Sequence, residues 1–164
     1  IYEELFMLGK PFHGGFGILT NDGIPKPNFW AFKMLSQLYP NRLSLSTRPE
    51  DKVEYAAFTD TGKTQVLVYL QDNDYYKNEE VVIDLSVNMK AAKVSAQHID
   101  ETHCHPKRLW QELGSPDCLK RDQVDEIKQK TQMVTQHLPF VWEGESTRVS
   151  LQLRTNDIVL LNFN

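Results

Sequence analysis

From residue 53 onward the sequence returns again and again to short β-branched and aromatic runs: VEYAAF at 53–58, QVLVYL at 65–70, EVVIDL at 80–85, KVSAQHI at 93–99, RVSLQL at 148–153 and DIVLLNF at 157–163. Each is strand-length, and the alternating β-α pattern of a parallel sheet is absent, so the strands must pair antiparallel. Thr59-Asp60-Thr61-Gly62-Lys63 carries turn chemistry between the first two runs and predicts a hairpin. Thr155-Asn156 divides the last two runs and reads as a second hairpin. Six strands of this kind predict a mainly β chain, an antiparallel β-sandwich.

Two stretches interrupt that pattern. The first forty residues are rich in Gly, Phe and Pro, with PFHGGFG at 11–17 and GIPKP at 23–27. Phe29, Phe32, Leu35 and Leu38 then recur at helical spacing, with Ala31 and Met34 beside them. Pro27 suits a first turn and Pro40 a stop, so an amphipathic helix is predicted over 28–39. The second stretch is a helical insertion. Pro106 starts a short helix with Leu109, Trp110 and Leu113 that ends at Gly114. A further helix runs from Asp122, the expected N-cap, through Val124 and Ile127, with Lys128 and Lys130 late as the helix dipole favours. At 164 residues the chain has room for one domain with its own core.

A net charge of −4 without a Lys/Arg cluster argues against a nucleic-acid surface. No apolar stretch approaches the roughly 20 residues a membrane span needs, and IYEELFMLGK does not read as a signal, so no membrane partner is expected. Cys104 and Cys118 are too few for a disulfide framework and read as free thiols, which favours a cytoplasmic origin. The chain starts at Ile1 inside sequence that looks structured, so it reads as part of a longer protein.

The titratable clusters suggest several chemistries and fit none. His98, His103, Cys104, His105 and Cys118 are zinc-ligand types, but their spacing matches no structural zinc pattern. Asp72, Asp74, Glu79 and Glu80 fit no EF-hand spacing and read as a solvated loop. The glycines at 14, 15 and 17 match neither a Walker nor a dinucleotide fingerprint; they read as freedom for a loop that Phe12 and Phe16 anchor. No metal and no cofactor is therefore expected. Trp110 and Trp142 read as packing residues in preference to a carbohydrate-stacking platform, and Trp30 as cover for a neighbouring surface.

Two segments carry a resemblance. EEL at 3–5 followed by PFHGGFGILTNDGIPKPNFWAFKMLSQL at 11–38 resembles the segment after the last barrel strand in glycoside hydrolase family 39 β-xylosidases. HIDETHCHPKRLWQELGSPDCLKRDQVDEI at 98–127 is similar to an insertion in the accessory sandwich of that family. The family usually shows His-Ser-Asn where this chain has His103-Cys104-His105, so the resemblance does not carry over any hydrogen-bonding role of the Ser and Asn.

The resemblance implies a (β/α)8 barrel that carries the chemistry. Residues 1–45 would be its end, comprising the end of the last strand, a loop and a helix, and 46–164 the accessory β-sandwich. It implies a parent that is a retaining enzyme acting on β-xylosides, with a xylo-oligosaccharide or other β-glycoside as its partner. Glu3 matches a sugar-binding glutamate of the family, and His13 is a second candidate for the sugar pocket. The catalytic pair belongs to earlier strands. Glu3-Glu4 cannot replace it, because neighbours on extended chain point to opposite faces. No catalytic residue is thus expected in this chain. Two alternatives stand beside this reading: the sugar-sensing tail of an AraC-type transcriptional regulator and a non-catalytic carbohydrate-binding module. The helix over 28–39 would leave an apolar patch able to drive homo-oligomer formation.

Overall fold

Strand-forming sequence dominates the fold, and nine strands and three helices are seen in a computed structural model that describes residues 11–13, 16–45, 52–74 and 77–164. The chain divides into two compact units. One comprises the chain up to Ser36 together with Glu101–Met133, and the other Gln37–Asp100 together with Val134–Asn164. The helical insertion belongs with the first 36 residues.

The second unit is the sandwich. Its larger sheet has six strands in the order β1 (Asn41–Leu43), β2 (Val53–Asp60), β3 (Lys63–Leu70), β9 (Ile158–Phe163), β5 (Val94–Ile99) and β6 (Thr135–His137). Its smaller sheet has three, in the order β4 (Glu80–Val87), β8 (Ser146–Arg154) and β7 (Val141–Glu143). Every ladder is antiparallel, as expected. β8 shows why. Thr147, Val149, Leu151 and Leu153 are buried, while Arg148, Ser150, Gln152 and Arg154 are exposed, which is the period of two that a half-buried strand imposes. Val149, Leu151 and Leu153 meet Val66, Val68, Leu70, Val94, Ala96, Val159, Leu161 and Phe163 of the larger sheet in one core. Burying each large side chain there contributes about 1.5–3 kcal/mol.

The β2–β3 hairpin forms as read. Thr61 (φ 44°) and Gly62 (φ 79°) make a two-residue turn with both φ positive, which matches the right-handed twist of the strands. The second hairpin does not form. β8 pairs with β4 and β7, whereas β9 pairs with β3 and β5, so Thr155-Asn156 carries the chain from one sheet to the other. The junction is stitched on both sides. Thr155 N–H donates to Glu79 O (3.0 Å), Asn156 N–H to Leu70 O (2.6 Å) and Leu70 N–H to Asp157 O (3.2 Å). Asn156 itself sits at φ 71°.

In the first unit, α1 is shorter than its sequence pattern, covering Pro27–Leu35. Ser36 caps it, with Oγ donating to Lys33 O (2.7 Å). Beyond it the backbone finds other partners, since the Gln65 side chain accepts from Tyr39 N–H (2.8 Å) and donates to Gln37 O (3.2 Å). The buried stripe also differs from expectation. Trp30 and Met34 are buried, while Phe32 is 64% and Leu35 48% exposed. α2 spans Pro106–Glu112, and α3 spans Arg121–Lys130, beginning two residues earlier than expected. Its N-cap is Lys120, not Asp122: Lys120 N–H donates to Gln123 Oε1 (2.9 Å), leaving Asp122 in the first turn, where it still complements the dipole.

Candidate functional site

The glycine-rich loop and the helical insertion share one small core. Phe12, Ile24 and Ile127 are buried there, with Leu109, Trp110, Leu119 and Val124 packed around them. Phe12 lies 5.7 Å from Trp110, ring centroid to centroid, and Trp110 Nε1 donates to Pro116 O (2.9 Å). Trp110 is therefore a packing residue, as read. The loop is closed by its own turn: Ile24 N–H donates to Thr20 Oγ1 (3.1 Å), and Gly23 N–H to Thr20 O (2.9 Å), with Gly23 at φ 71°. Lys128 of α3 donates to Asp22 O (2.9 Å) at the loop tip. Lys26 Nζ and Asn28 Nδ2 hold Phe16 O (2.7 Å) and Gly17 O (3.2 Å) near the start of α1. Phe12 anchors the loop as expected, but the Phe16 ring is 62% exposed and anchors nothing; only its carbonyl is held.

His13 follows the anchored Phe12 and is half-buried. Its imidazole can both donate to and accept from a hydroxyl, the chemistry a sugar pocket needs. Glu3 lies outside the described residues, as do Gly14 and Gly15. Gly17 takes the positive φ read for it, at 77°.

The insertion contains a cleft of about 270 Å³ lined by Thr102, His105, Arg108, Leu109, Glu112, Lys130 and Thr131. A smaller hollow of about 100 Å³ adds Leu113, Glu126 and Ile127. Sequence reading missed this cleft, although the i, i+4 pairs Arg108/Glu112 and Glu126/Lys130 mark it. Arg108 Nε meets Glu112 Oε1 at 3.1 Å and Lys130 Nζ meets Glu126 Oε1 at 2.6 Å. The latter contact pushes the Lys130 ammonium above its ordinary pKa. His105 caps α2, its Nδ1 accepting from Arg108 N–H (3.3 Å), which requires that nitrogen to be unprotonated. The two carboxylates here could not serve glycoside hydrolysis. A general acid needs a desolvated carboxyl with a raised pKa, whereas the Glu112 and Glu126 side chains are 55% and 47% exposed and each is held by a cation on its own helix. His13 does not line the cleft.

The ligand-type clusters stay apart. Among the described residues no three His, Cys, Asp or Glu side chains gather as a metal site. Cys104 is buried and Cys118 exposed, and neither is in a disulfide. Among the described residues no helix is long and apolar enough to cross a membrane. The acidic loop is an ion-pair clasp and not a bare solvated loop. Lys52 Nζ bridges Asp72 (3.2 Å) and Glu79 (2.8 Å), and Lys77 Nζ bridges the same two carboxylates (3.5 and 2.8 Å). The Asp74 N–H bond and then Lys52 hold the Asp72 carboxyl down to about 2, and the two lysines lower Glu79 likewise.

Trp142 departs most from expectation. Read as a packing residue, it is 61% exposed, on the edge strand β7.

The family model for Glycosyl hydrolases family 39 matches residues 1–147. A β-xylosidase of Caldicellulosiruptor saccharolyticus is 32% identical over 130 residues, covering 77% of this chain and 27% of that protein. A β-xylosidase of Geobacillus stearothermophilus is 25% identical over 170 residues, covering 99% of this chain and 32% of its own length. The crystal structure of the GH39 enzyme from Xanthomonas axonopodis pv. citri superposes with a TM-score of 0.69 at 21% identity, covering 95% of this chain and 33% of that one. The chain thus spans about a third or less of each of these relatives.

Proposed function

Since this chain belongs to glycosyl hydrolases family 39, we propose that it is the carboxy-terminal, non-catalytic portion of a retaining glycosidase acting on β-xylosides. The observation that carries this is the combination of a family match over residues 1–147 with coverage of only 27% and 32% of two proteins named β-xylosidase. Retention needs two carboxyl groups about 5–5.5 Å apart, one the nucleophile and one the acid and base. The exposure and pairing of both carboxylates of the α2–α3 cleft support placing that pair in the rest of the parent barrel.

In the parent, residues 1–45 finish that barrel and 46–164 form the accessory sandwich. The packing of the Gly-rich loop with α2 and α3 supports a role for the insertion in holding this loop in place. Glu3 accepts hydrogen bonds from sugar hydroxyls, and His13 lines the same pocket. That neither cysteine is in a disulfide supports a cytoplasmic setting. The exposed Phe32 and Leu35 of α1 support association of the chain alone.

The test is hydrolysis of an aryl β-xyloside. The purified 164-residue chain gives no turnover, and the parent protein hydrolyses the substrate with retention. Removing the Glu3 carboxylate in the parent (Glu3→Ala) lowers kcat/KM by about 10- to 100-fold, the worth of a hydrogen bond to a charged group. Turnover by the chain itself, free of host activity, would overturn the proposal.

A further inference from the structure

An exposed tryptophan needs a reason, since its large apolar surface is normally withdrawn from water. Trp142 is 61% exposed, yet it is not a loose surface side chain. Its Nε1 donates to Ala91 O (3.0 Å), and its ring lies 6.1 Å from that of Phe140, tilted by 54°. The carbonyl it grips is fixed in turn. Ala91 N–H donates to Thr147 Oγ1 (2.9 Å), and Thr147 Oγ1 donates to Met89 O (2.7 Å). Thr147 is itself fully buried and pairs with Trp142 across β7 and β8. The indole plane is thus held from behind, and its polar edge is spent inside the protein.

Polar groups next in sequence to Ala91 and Thr147, the residues that hold and pair with Trp142, are already matched. Lys90 Nζ pairs with Glu145 (3.0 Å), and Ser146 Oγ donates to Asn88 Oδ1 (3.1 Å). This rim has no net charge and offers donors and acceptors side by side. A charged ligand finds no opposite charge left to meet. An apolar protein partner would strip water from the Lys90–Glu145 pair, which costs more than the contact returns. A neutral polyol suits both features, because its hydroxyls replace the water on the rim while its C–H face lies on the ring.

We propose that Trp142 is a stacking platform for neutral sugars at the rim of the sandwich. The choice of a xylose-based probe rests on the function proposed above; the stacking chemistry does not.

The test titrates the 164-residue chain with xylohexaose and, separately, cellohexaose, following the three indole N–H signals by heteronuclear NMR. Saturable movement of the Trp142 signal, with Trp30 and Trp110 unmoved, is expected at about millimolar Kd, as befits one open aromatic face. Trp142→Ala weakens binding roughly tenfold or more, Trp142→Phe restores part of it, and Glu145→Gln weakens it less. Movement with cellohexaose alone supports the platform and counts against the xyloside reading. No movement of the Trp142 signal with either sugar overturns the platform, and leaves the parent's hydrolysis to be judged by its own assay. Should the alanine variant fail to fold, the indole shifts of the unaltered chain decide.

Discussion

Replacing Asp157 tests whether the sheet-to-sheet junction is held as described. The residue is 9% exposed, and its Oδ2 accepts from Arg154 N–H at 2.7 Å. Its own N–H and C=O bond Arg154 O (3.0 Å) and Leu70 N–H (3.2 Å), and these backbone bonds survive a side-chain substitution. Asp157→Ala therefore removes a hydrogen bond to a charged acceptor and leaves a donor at the end of β8 unsatisfied, at a cost of about 2 kcal/mol. Asp157→Asn keeps an acceptor without the charge and should cost about 1 kcal/mol. Asn156, at φ 71°, supplies an internal control. Glycine there is tolerated within a few tenths of a kcal/mol, whereas a β-branched residue should lose about 1–2 kcal/mol. Urea denaturation at neutral pH measures all four, and the m-value must stay constant for the midpoints to be compared. Equal losses for Asp157→Asn and Asp157→Ala, or a loss below about 0.5 kcal/mol for the alanine variant, would refute the assignment of that carboxylate as the junction's cap.

The lysine clasp gives a pH dependence with a definite sign. Asp72 is lowered to about 2 and Glu79 is lowered too, so the stability they contribute is complete above the ordinary carboxylate range and drains away as pH falls through their folded values. Thermal melts between neutral pH and pH 2 should show Lys52→Met losing less on acidification than the parent sequence; parallel curves would remove the clasp from the account. On α1, Phe32→Ser with Leu35→Ser should abolish concentration-dependent association in gel filtration while moving stability by less than about 0.5 kcal/mol, as both side chains are already exposed. Persistent association would place the contact elsewhere.

The strands of the sandwich were legible because period-two burial writes itself into sequence. Thr147, Val149, Leu151 and Leu153 alternate with polar residues, and the Thr61-Gly62 turn has a required backbone handedness. The three strands that went unread, β1, β6 and β7, are three residues each and lie at sheet edges, where exposure erases the alternation. Solvent also decided the helix. α1 carries apolar residues on more than one face, and periodicity alone ranks Phe29, Phe32 and Leu35 above the Trp30 and Met34 that are in fact buried.

The missed crossover at Thr155-Asn156 has a different cause. A left-handed residue between two β runs serves a hairpin or a change of sheet equally well, and local turn chemistry carries no term that separates them. The distinction lies in long-range partners. Leu70 and Glu79 flank the β3–β4 connection, and they bond Asn156 and Thr155 across more than seventy residues. A chain that has already led β3 and β4 into different sheets offers β8 and β9 two separate edges, so a junction that answers both must also pass between sheets. The same logic exposes Trp142: the short β7 pairs only with β8, and the sheet ends there. Trp142 thus sits on an edge strand, where only one neighbour can cover it, and a rule that places tryptophans inside fails at this residue while holding at Trp30 and Trp110.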